Sequence, residues 1–181
     1  PDIDLVLIAG DVQDRCTNTT HFKVNQYLST LSNTELNNPK LDYVVERIYD
    51  NLALLELEFL LDEILTKRFP NAKMIIIPGN HDCWSADKVL VKNPNIMLID
   101  TLKLVTINIR NTDINILCCP YITYDAMFRG NGKPEKPYKN RLISEIELHN
   151  QVQSLKDNGQ LENVDILLSH VPPYSIFDQV N

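Results

Sequence analysis

The feature that most constrains the fold is a set of short apolar segments that have no helical period. One covers residues 5–9, a second covers residues 74–77, and a third, residues 164–168, is interrupted only by Asp165. Strands that are buried on both faces have this pattern, which is typical of parallel sheets. A long amphipathic helix, from about residue 41 to residue 69, lies between the first two segments. The alternation of strands and helices predicts an α/β fold.

The remaining parts of the chain predict further elements around this frame. Residues 15–40 are polar and lack a period, so we expect a loop or an insertion there. The long helix has Asn51 as a candidate break. We expect three more strands at residues 96–99, 102–109 and 114–119, and a second long helix at residues 140–157. A length of 181 residues predicts a single domain over residues 1–181.

Composition limits the classes of function. Hydrophobic residues make up 44% and charged residues 23%, which is an ordinary globular balance. The net charge of −7 argues against a nucleic-acid binder of the basic-patch kind, although metal ions could still make a local site that accepts phosphate. The four cysteines have no Cys-x-x-Cys spacing, so the sequence does not support a zinc finger or a redox motif. Because no signal segment or membrane-length apolar run occurs, we expect a cytoplasmic protein with free thiols and no membrane partner.

Each of the three apolar segments ends in residues that commonly bind metal ions. Gly10-Asp11 and Asp14 follow the first segment, Gly79-Asn80-His81-Asp82 follows the second, and His170 follows the third. Because ligands of open α/β sheets bind at the carboxyl ends of the strands, we expect these side chains at one rim. Carboxylate and amide oxygens together with imidazole suit Mn, Fe or Zn.

These motifs resemble those of the calcineurin-like metallophosphoesterase family. The order Gly10-Asp11-x-x-Asp14, Gly79-Asn80-His81-Asp82 and His170 before two prolines agrees with the family over essentially the whole chain. The resemblance implies a two-sheet β-sandwich flanked by helices, in a four-layer fold. It also implies a centre of two divalent ions (Mn, Fe, Zn or Mg) that hydrolyses phosphomonoesters or phosphodiesters.

The resemblance further implies which residues bind metal. Asp11 would bridge the two ions, and Asn80 and His170 would bind the second ion. The family also has an Asp-x-His motif before the first Gly-Asp and a Gly-His-x-His motif after the strand that carries His170. Neither motif occurs here, so we expect the sequence to be the middle of a longer fold, incomplete at both ends.

The same resemblance implies which residues act on the substrate. His81, paired with Asp14 or Asp82, would act as a catalytic group on the leaving-group oxygen. The chemistry is consistent, because a carboxylate neighbour raises the pKa of an imidazole and lets it hold a proton. Arg15 matches a substrate-binding arginine of the Ser/Thr phosphatase branch, which clamps phosphate bidentately, and a solvated loop arginine is the alternative.

Three functions follow from these residues. The first is a metallophosphoesterase, the second is an inactive interaction scaffold with the same fold, and the third is a nuclease of the repair type. The presence of both Asp11 and His81 favours the enzyme, and the acidic charge argues against the nuclease. The substrate would be a phosphorylated small molecule, a nucleotide or a phosphoprotein. Residues 15–40 and 121–139 would form the walls of its pocket, but neither segment has a pattern that selects one class.

Overall fold

The computed structural model describes residues 2–12, 18–38, 40–79, 82, 86–123 and 142–171. Within them the strands are β1 (Leu5–Ala9), β2 (Lys73–Ile77), β3 (Ile96–Leu98), β4 (Lys103–Ile109), β5 (Thr112–Cys119), β6 (Ile122–Thr123), β7 (Leu142–Ile143) and β8 (Ile166–Ser169). The α-helices are α1 (Asn18–Leu28), α2 (Asn33–Leu36), α3 (Leu41–Phe59), α4 (Thr66–Arg68) and α5 (Glu145–Asp157). A π-helical segment, Leu60–Leu65, joins α3 to α4. None of these helices combines the length and apolar character that crossing a membrane requires.

The strands form two three-stranded sheets. The first has the order β1-β2-β3 and is parallel throughout. The second has the order β4-β5-β8, in which β4 and β5 are antiparallel and β8 runs parallel to β5. The short strands β6 and β7 pair separately. The predicted α/β fold, with two sheets and flanking helices, is confirmed.

Strand β2 lies at the centre of the molecule because both of its faces are apolar. Met74 and Ile76 pack toward the helix, in a cluster that includes Leu57 from α3. Ile75 and Ile77 point the opposite way and pack against the second sheet. All four strand residues are fully buried, which is the environment that their continuous apolar run predicts. The layers are therefore α3, the first sheet and the second sheet.

Strand β1 is covered on both faces but is only half-buried. Leu5 and Leu7 pack against the cluster between the sheets, while Val6 and Ile8 pack against the cluster beneath α3. In the described part of the chain, β1 pairs with β2 along one side. The remaining exposure of β1 is therefore that of an edge strand.

The expected break near Asn51 is wrong, because α3 continues through this position to Phe59. Asn51 is exposed, and an exposed Asn destabilises a helix by at most about 0.7 kcal/mol relative to Ala. The apolar face of α3 outweighs this cost, since Ala53 and Leu57 are buried. The irregularity lies further on, where the Thr66 hydroxyl donates a hydrogen bond to the Leu61 carbonyl (2.8 Å) at the end of the π-helical segment.

Of the two expectations for residues 15–40, the loop is wrong, since α1 and α2 lie there. Helix α1 packs against α3, and its Val24 is almost fully buried. Helix α2 begins with a capping box, in which the Glu35 backbone N–H donates to the Ser32 hydroxyl and the Ser32 backbone N–H donates to the Glu35 carboxylate. The Ser32 hydroxyl, which also donates to the Glu35 carboxylate (2.7 Å), and the Ser32 backbone N–H lower the pKa of that carboxyl. Local capping and one buried side chain thus stabilise helices in a segment that has no apolar stripe.

The helix expected at residues 140–157 begins later, at Glu145. The preceding residues Leu142–Ile143 form β7, and the Ser144 hydroxyl caps the helix by accepting from the Glu147 N–H (3.1 Å).

The adjacent cysteines end β5 as expected, with Cys118 buried and Cys119 half-buried, and both are free thiols. Burial raises the pKa of the Cys118 thiol to about 11.

A substitution in β2 tests the central position of this strand. Ile76→Ala removes a fully buried side chain beneath α3 and leaves a cavity, so the free energy of unfolding should fall by about 2–5 kcal/mol. Urea denaturation measures the change. The matched control is Ile146→Ala on α5, where the side chain is 75% exposed and the change should stay within about 0.5 kcal/mol. Equal losses in the two variants would contradict the layer order.

Candidate metal centre

The carboxyl ends of three strands meet at one rim of the molecule. Strands β1 and β2 are parallel and in register, with Ala9 opposite Ile77, so the residues that follow them leave the sheet side by side. Strand β8 belongs to the second sheet and contacts β1 across the core. The structure therefore brings together Asp11 after β1, Gly79 after β2 and His170 after β8.

The imidazole of His170 is held by the backbone of β1. Its Nδ1 lies 2.7 Å from the carbonyl oxygen of Ala9, and its Nε2 lies 3.6 Å from Oδ2 of Asp11. A carbonyl oxygen can only accept, so Nδ1 carries the proton in this hydrogen bond. In the neutral ring, Nε2 then presents its lone pair toward Asp11. Histidines that bind metals are commonly oriented in this way, through a hydrogen bond from the other ring nitrogen.

The pair formed by Asp11 and His170 fits a shared metal ion. Two ligands bound at about 2.0–2.2 Å, with an angle of about 90–120° between them, lie about 2.8–3.8 Å apart. The separation of 3.6 Å between Nε2 and Oδ2 falls within this range. Imidazole nitrogen and carboxylate oxygen are also donors that suit Mn, Fe and Zn. Within the residues that the structure describes, no group of three or more His, Cys, Asp and Glu is placed to hold an ion.

Two glycines allow the strand ends to approach closely. Gly10 has a φ of +94°, and a Cβ added there would lie 2.5 Å from the Gly79 nitrogen and 2.6 Å from Nδ1 of His170. A Cβ added to Gly79 would overlap the Asp11 carboxylate and lie 2.6 Å from Cε1 of His170. Real Cβ atoms do not approach other atoms so closely, so both positions require glycine. This requirement explains the Gly-Asp and Gly-Asn pairs in physical terms.

Asp11 has a backbone conformation that is unusual for a residue with a side chain. Its φ is +54°, in the left-handed region. This region costs most L-residues about 1–2 kcal/mol, and Asp and Asn occupy it more readily than others. Such outliers cluster at functional sites. The conformation follows a glycine turn and places the half-exposed carboxylate opposite His170.

Asp82 lies beneath the same rim. Its carboxylate is only 2% exposed, and Oδ2 accepts a hydrogen bond of 2.7 Å from the Gly79 backbone N–H. The other predicted site residues, Asp14, Arg15, Asn80 and His81, lie outside the described residues, so their roles stay predictions. The Ala9 carbonyl could not be predicted from the sequence, because a backbone acceptor leaves no signal in the residue type.

A cavity of about 600 Å³ lies elsewhere, at the amino ends of β1 and β2. Asp4 and Arg110 line it and form an ion pair of 2.8 Å. It is at the opposite end of these strands from Asp11 and His170. This cavity is therefore separate from the residues that could bind a metal ion.

Comparisons with known proteins agree with the motifs. A family model described as calcineurin-like phosphoesterase matches residues 1–180. Searches of curated proteins and of solved structures each found no match.

Replacing Asp11 by Gly or Ala tests the strained backbone and the metal together. Alanine usually stabilises a protein relative to glycine by about 0.5–1 kcal/mol, but at φ +54° the order should reverse. We expect Asp11→Gly to unfold at higher urea than Asp11→Ala, with a difference of about 1 kcal/mol. Both variants lack the carboxylate, so both should lose Mn²⁺ binding in calorimetric titration. An alanine variant more stable than the glycine variant would contradict the left-handed conformation.

Proposed function

The chain belongs to the calcineurin-like phosphoesterase family, and from this premise we propose that it hydrolyses phosphomonoesters or phosphodiesters at a centre of two divalent metal ions. The observation that carries the proposal is the pair formed by Asp11 and His170. Their facing atoms lie 3.6 Å apart at the ends of two strands from different sheets. Family membership supports a phosphorylated substrate in general.

Asp11, His170 and Asn80 are the residues that would hold metal in this proposal. A bound divalent ion would make a coordinated water more acidic and neutralise charge on the phosphoryl oxygens. The side chain of His170 is 13% exposed and that of Asp11 is 39% exposed. The imidazole is thus packed in place, while the carboxylate reaches the surface that a substrate must approach. Asp11 has two oxygens, which is what a bridging ligand needs.

The leaving-group oxygen needs a proton, and we assign that task to His81. An imidazole is the side chain best suited to hold and release a proton near neutral pH. A carboxylate partner would keep it protonated, and Asp14 and Asp82 are the two candidates for that partner. Arg15 would bind the phosphate.

The charge of the chain favours small or protein-borne phosphoesters over nucleic acid. A net charge of −7 gives no long-range attraction for a polyanion. Of the candidate metals, Mn²⁺ suits the mixed oxygen and nitrogen donors and is the first choice for reconstitution. We propose a cytoplasmic location because Cys118 and Cys119 are free thiols, which are typical of a reducing compartment.

The decisive experiment is a hydrolysis assay with Mn²⁺, Zn²⁺ or Mg²⁺ added to the purified protein. The substrates are a phosphomonoester, a phosphodiester and short DNA, with release of product measured by absorbance or by gel. We expect turnover of at least one of the two small esters and little cleavage of DNA. The Asp11→Asn variant is the control, and its activity should fall about 100-fold or more because a neutral amide binds the ions poorly. No turnover with any metal would favour the inactive scaffold, and DNA cleavage alone would favour the nuclease.

The proposed role of His81 predicts that the effect of its removal depends on the leaving group of the substrate. His81→Ala should lower kcat about 10²–10⁴-fold for an ester with a poor leaving group, since that group must be protonated as it departs. The loss should shrink for a nitrophenyl ester, whose leaving group is stable as an anion. Metal content, measured by atomic absorption, should stay normal. An equal loss for both esters, or a loss of metal, would assign His81 to ligation or structure instead.

A further inference from the structure

Asp82 differs from the other charged side chains whose burial the structure describes, because it is buried. In the described part of the chain it is the one charged residue in the buried class, at 2% exposure. Burying a carboxylate is costly unless strong hydrogen bonds compensate it. Its hydrogen bond with the Gly79 N–H, at 2.7 Å, is short and involves a charged acceptor, which is the stronger class of hydrogen bond. The chain therefore maintains a costly group at this position.

Burial also limits what Asp82 can do. A side chain that exchanges a proton with a substrate must reach the substrate or a water next to it. At 2% exposure, the carboxylate of Asp82 is closed to both, whereas that of Asp11 is 39% exposed. Direct participation in proton transfer is thus disfavoured for Asp82. Asp82 would therefore act through a neighbouring group, and the contact that the structure describes is with the Gly79 backbone.

Gly79 is the group through which such an effect would pass. Its backbone is in tight contact with Asp11 and His170, since a Cβ at Gly79 would lie 2.5 Å from the Asp11 nitrogen and 2.6 Å from Cε1 of His170. A shift of the Gly79 peptide would therefore displace both residues. The carboxylate of Asp82 fixes this peptide by accepting its N–H.

We propose that Asp82 is a positioning residue, which fixes the Gly79 peptide and thereby the spacing of Asp11 and His170, and which takes no part in proton transfer. This inference rests on the proposed function only where its test measures hydrolysis rates. It differs from the role of a proton-transfer partner of His81, which the motif by itself allows.

The test compares Asp82→Ala with Asp82→Asn. Asparagine keeps an oxygen that can accept from the Gly79 N–H but loses the charge, whereas alanine loses both. We expect Asp82→Ala to weaken Mn²⁺ binding about 10–100-fold and to lower kcat about 100-fold. Asp82→Asn should stay within about tenfold of the wild type on both measures. Asp165→Ala is the matched control, since Asp165 also accepts a backbone N–H, from Asn115 at 2.8 Å, but lies before β8 at the end remote from His170.

Two further readouts separate positioning from proton transfer. The loss in Asp82→Ala should be the same for esters with good and poor leaving groups, and the pH profile of Asp82→Asn should match that of the wild type. The amide proton of Gly79, observed by NMR without metal, should be shifted downfield in the wild type and in Asp82→Asn, and should lose this shift in Asp82→Ala. If the alanine variant does not fold, Asp82→Asn and the Gly79 amide carry the test.

Three results would overturn the proposal. A loss in Asp82→Asn that shrinks with a good leaving group would make Asp82 a proton-transfer partner. Normal Mn²⁺ affinity and turnover in Asp82→Ala would leave it without a functional role, and an unchanged Gly79 amide in that variant would disprove the hydrogen bond. Absence of hydrolysis by the wild type would instead count against the proposed function, while the Mn²⁺ affinity and the Gly79 amide would still decide the role of Asp82.

Discussion

The close contact between the ends of β1 and β2 is the constraint on which the candidate site depends. Parallel pairing in register delivers Gly10 and Gly79 side by side, and neither position has space for a Cβ. At this separation the Asp11 carboxylate, the Gly79 peptide and the His170 ring touch one another. Any side chain at either glycine would separate them, and the distance of 3.6 Å between Asp11 and His170 would increase. The two side chains would then still lie at the rim, but they would be too far apart to bind the same metal ion.

The rigidity of that contact comes from the layers beneath it. Strand β2 is packed on one face against α3 and on the other against the second sheet, with Ile75, Ile76 and Ile77 all fully buried. Interiors at this density resist small displacements, because a shift of one strand opens a cavity on one side and causes a clash on the other. The second sheet also positions His170, since β8 pairs with β5 and contributes Leu168 to the cluster between the sheets. The distance between the two candidate ligands is thus set by the packing of one sheet on the other.

The parts of this structure that could be predicted from the sequence are those in which a residue pattern has a single physical explanation. A run such as Met74–Ile77 can be buried on both faces only as a central strand, and the order of strands and helices then indicates the layered fold. The helices at 18–28 and 33–36 could not be predicted from periodicity, because α1 relies on contacts with α3 and α2 relies on one capping box. That box, Ser32-x-x-Glu35, was present as a signal. The hydrogen bond from His170 to the Ala9 carbonyl was not, because any residue supplies the same acceptor.

Burial decides between roles that the motifs leave equivalent. Asp11 and Asp82 are the same residue type, each lies beside Gly79, and the sequence alone allows either to take part in the chemistry. The structure separates them by their access to solvent and by what their oxygens face. The carboxylate of Asp11 is half-exposed and faces Nε2 of His170, whose Nδ1 is held by the Ala9 carbonyl, as is common in histidines that bind metal ions. The carboxylate of Asp82 faces a backbone N–H in a closed environment, where a negative charge strengthens a hydrogen bond and cannot reach a substrate. A motif names the residue types that a site needs, whereas their depth below the surface limits which of them can contact a substrate.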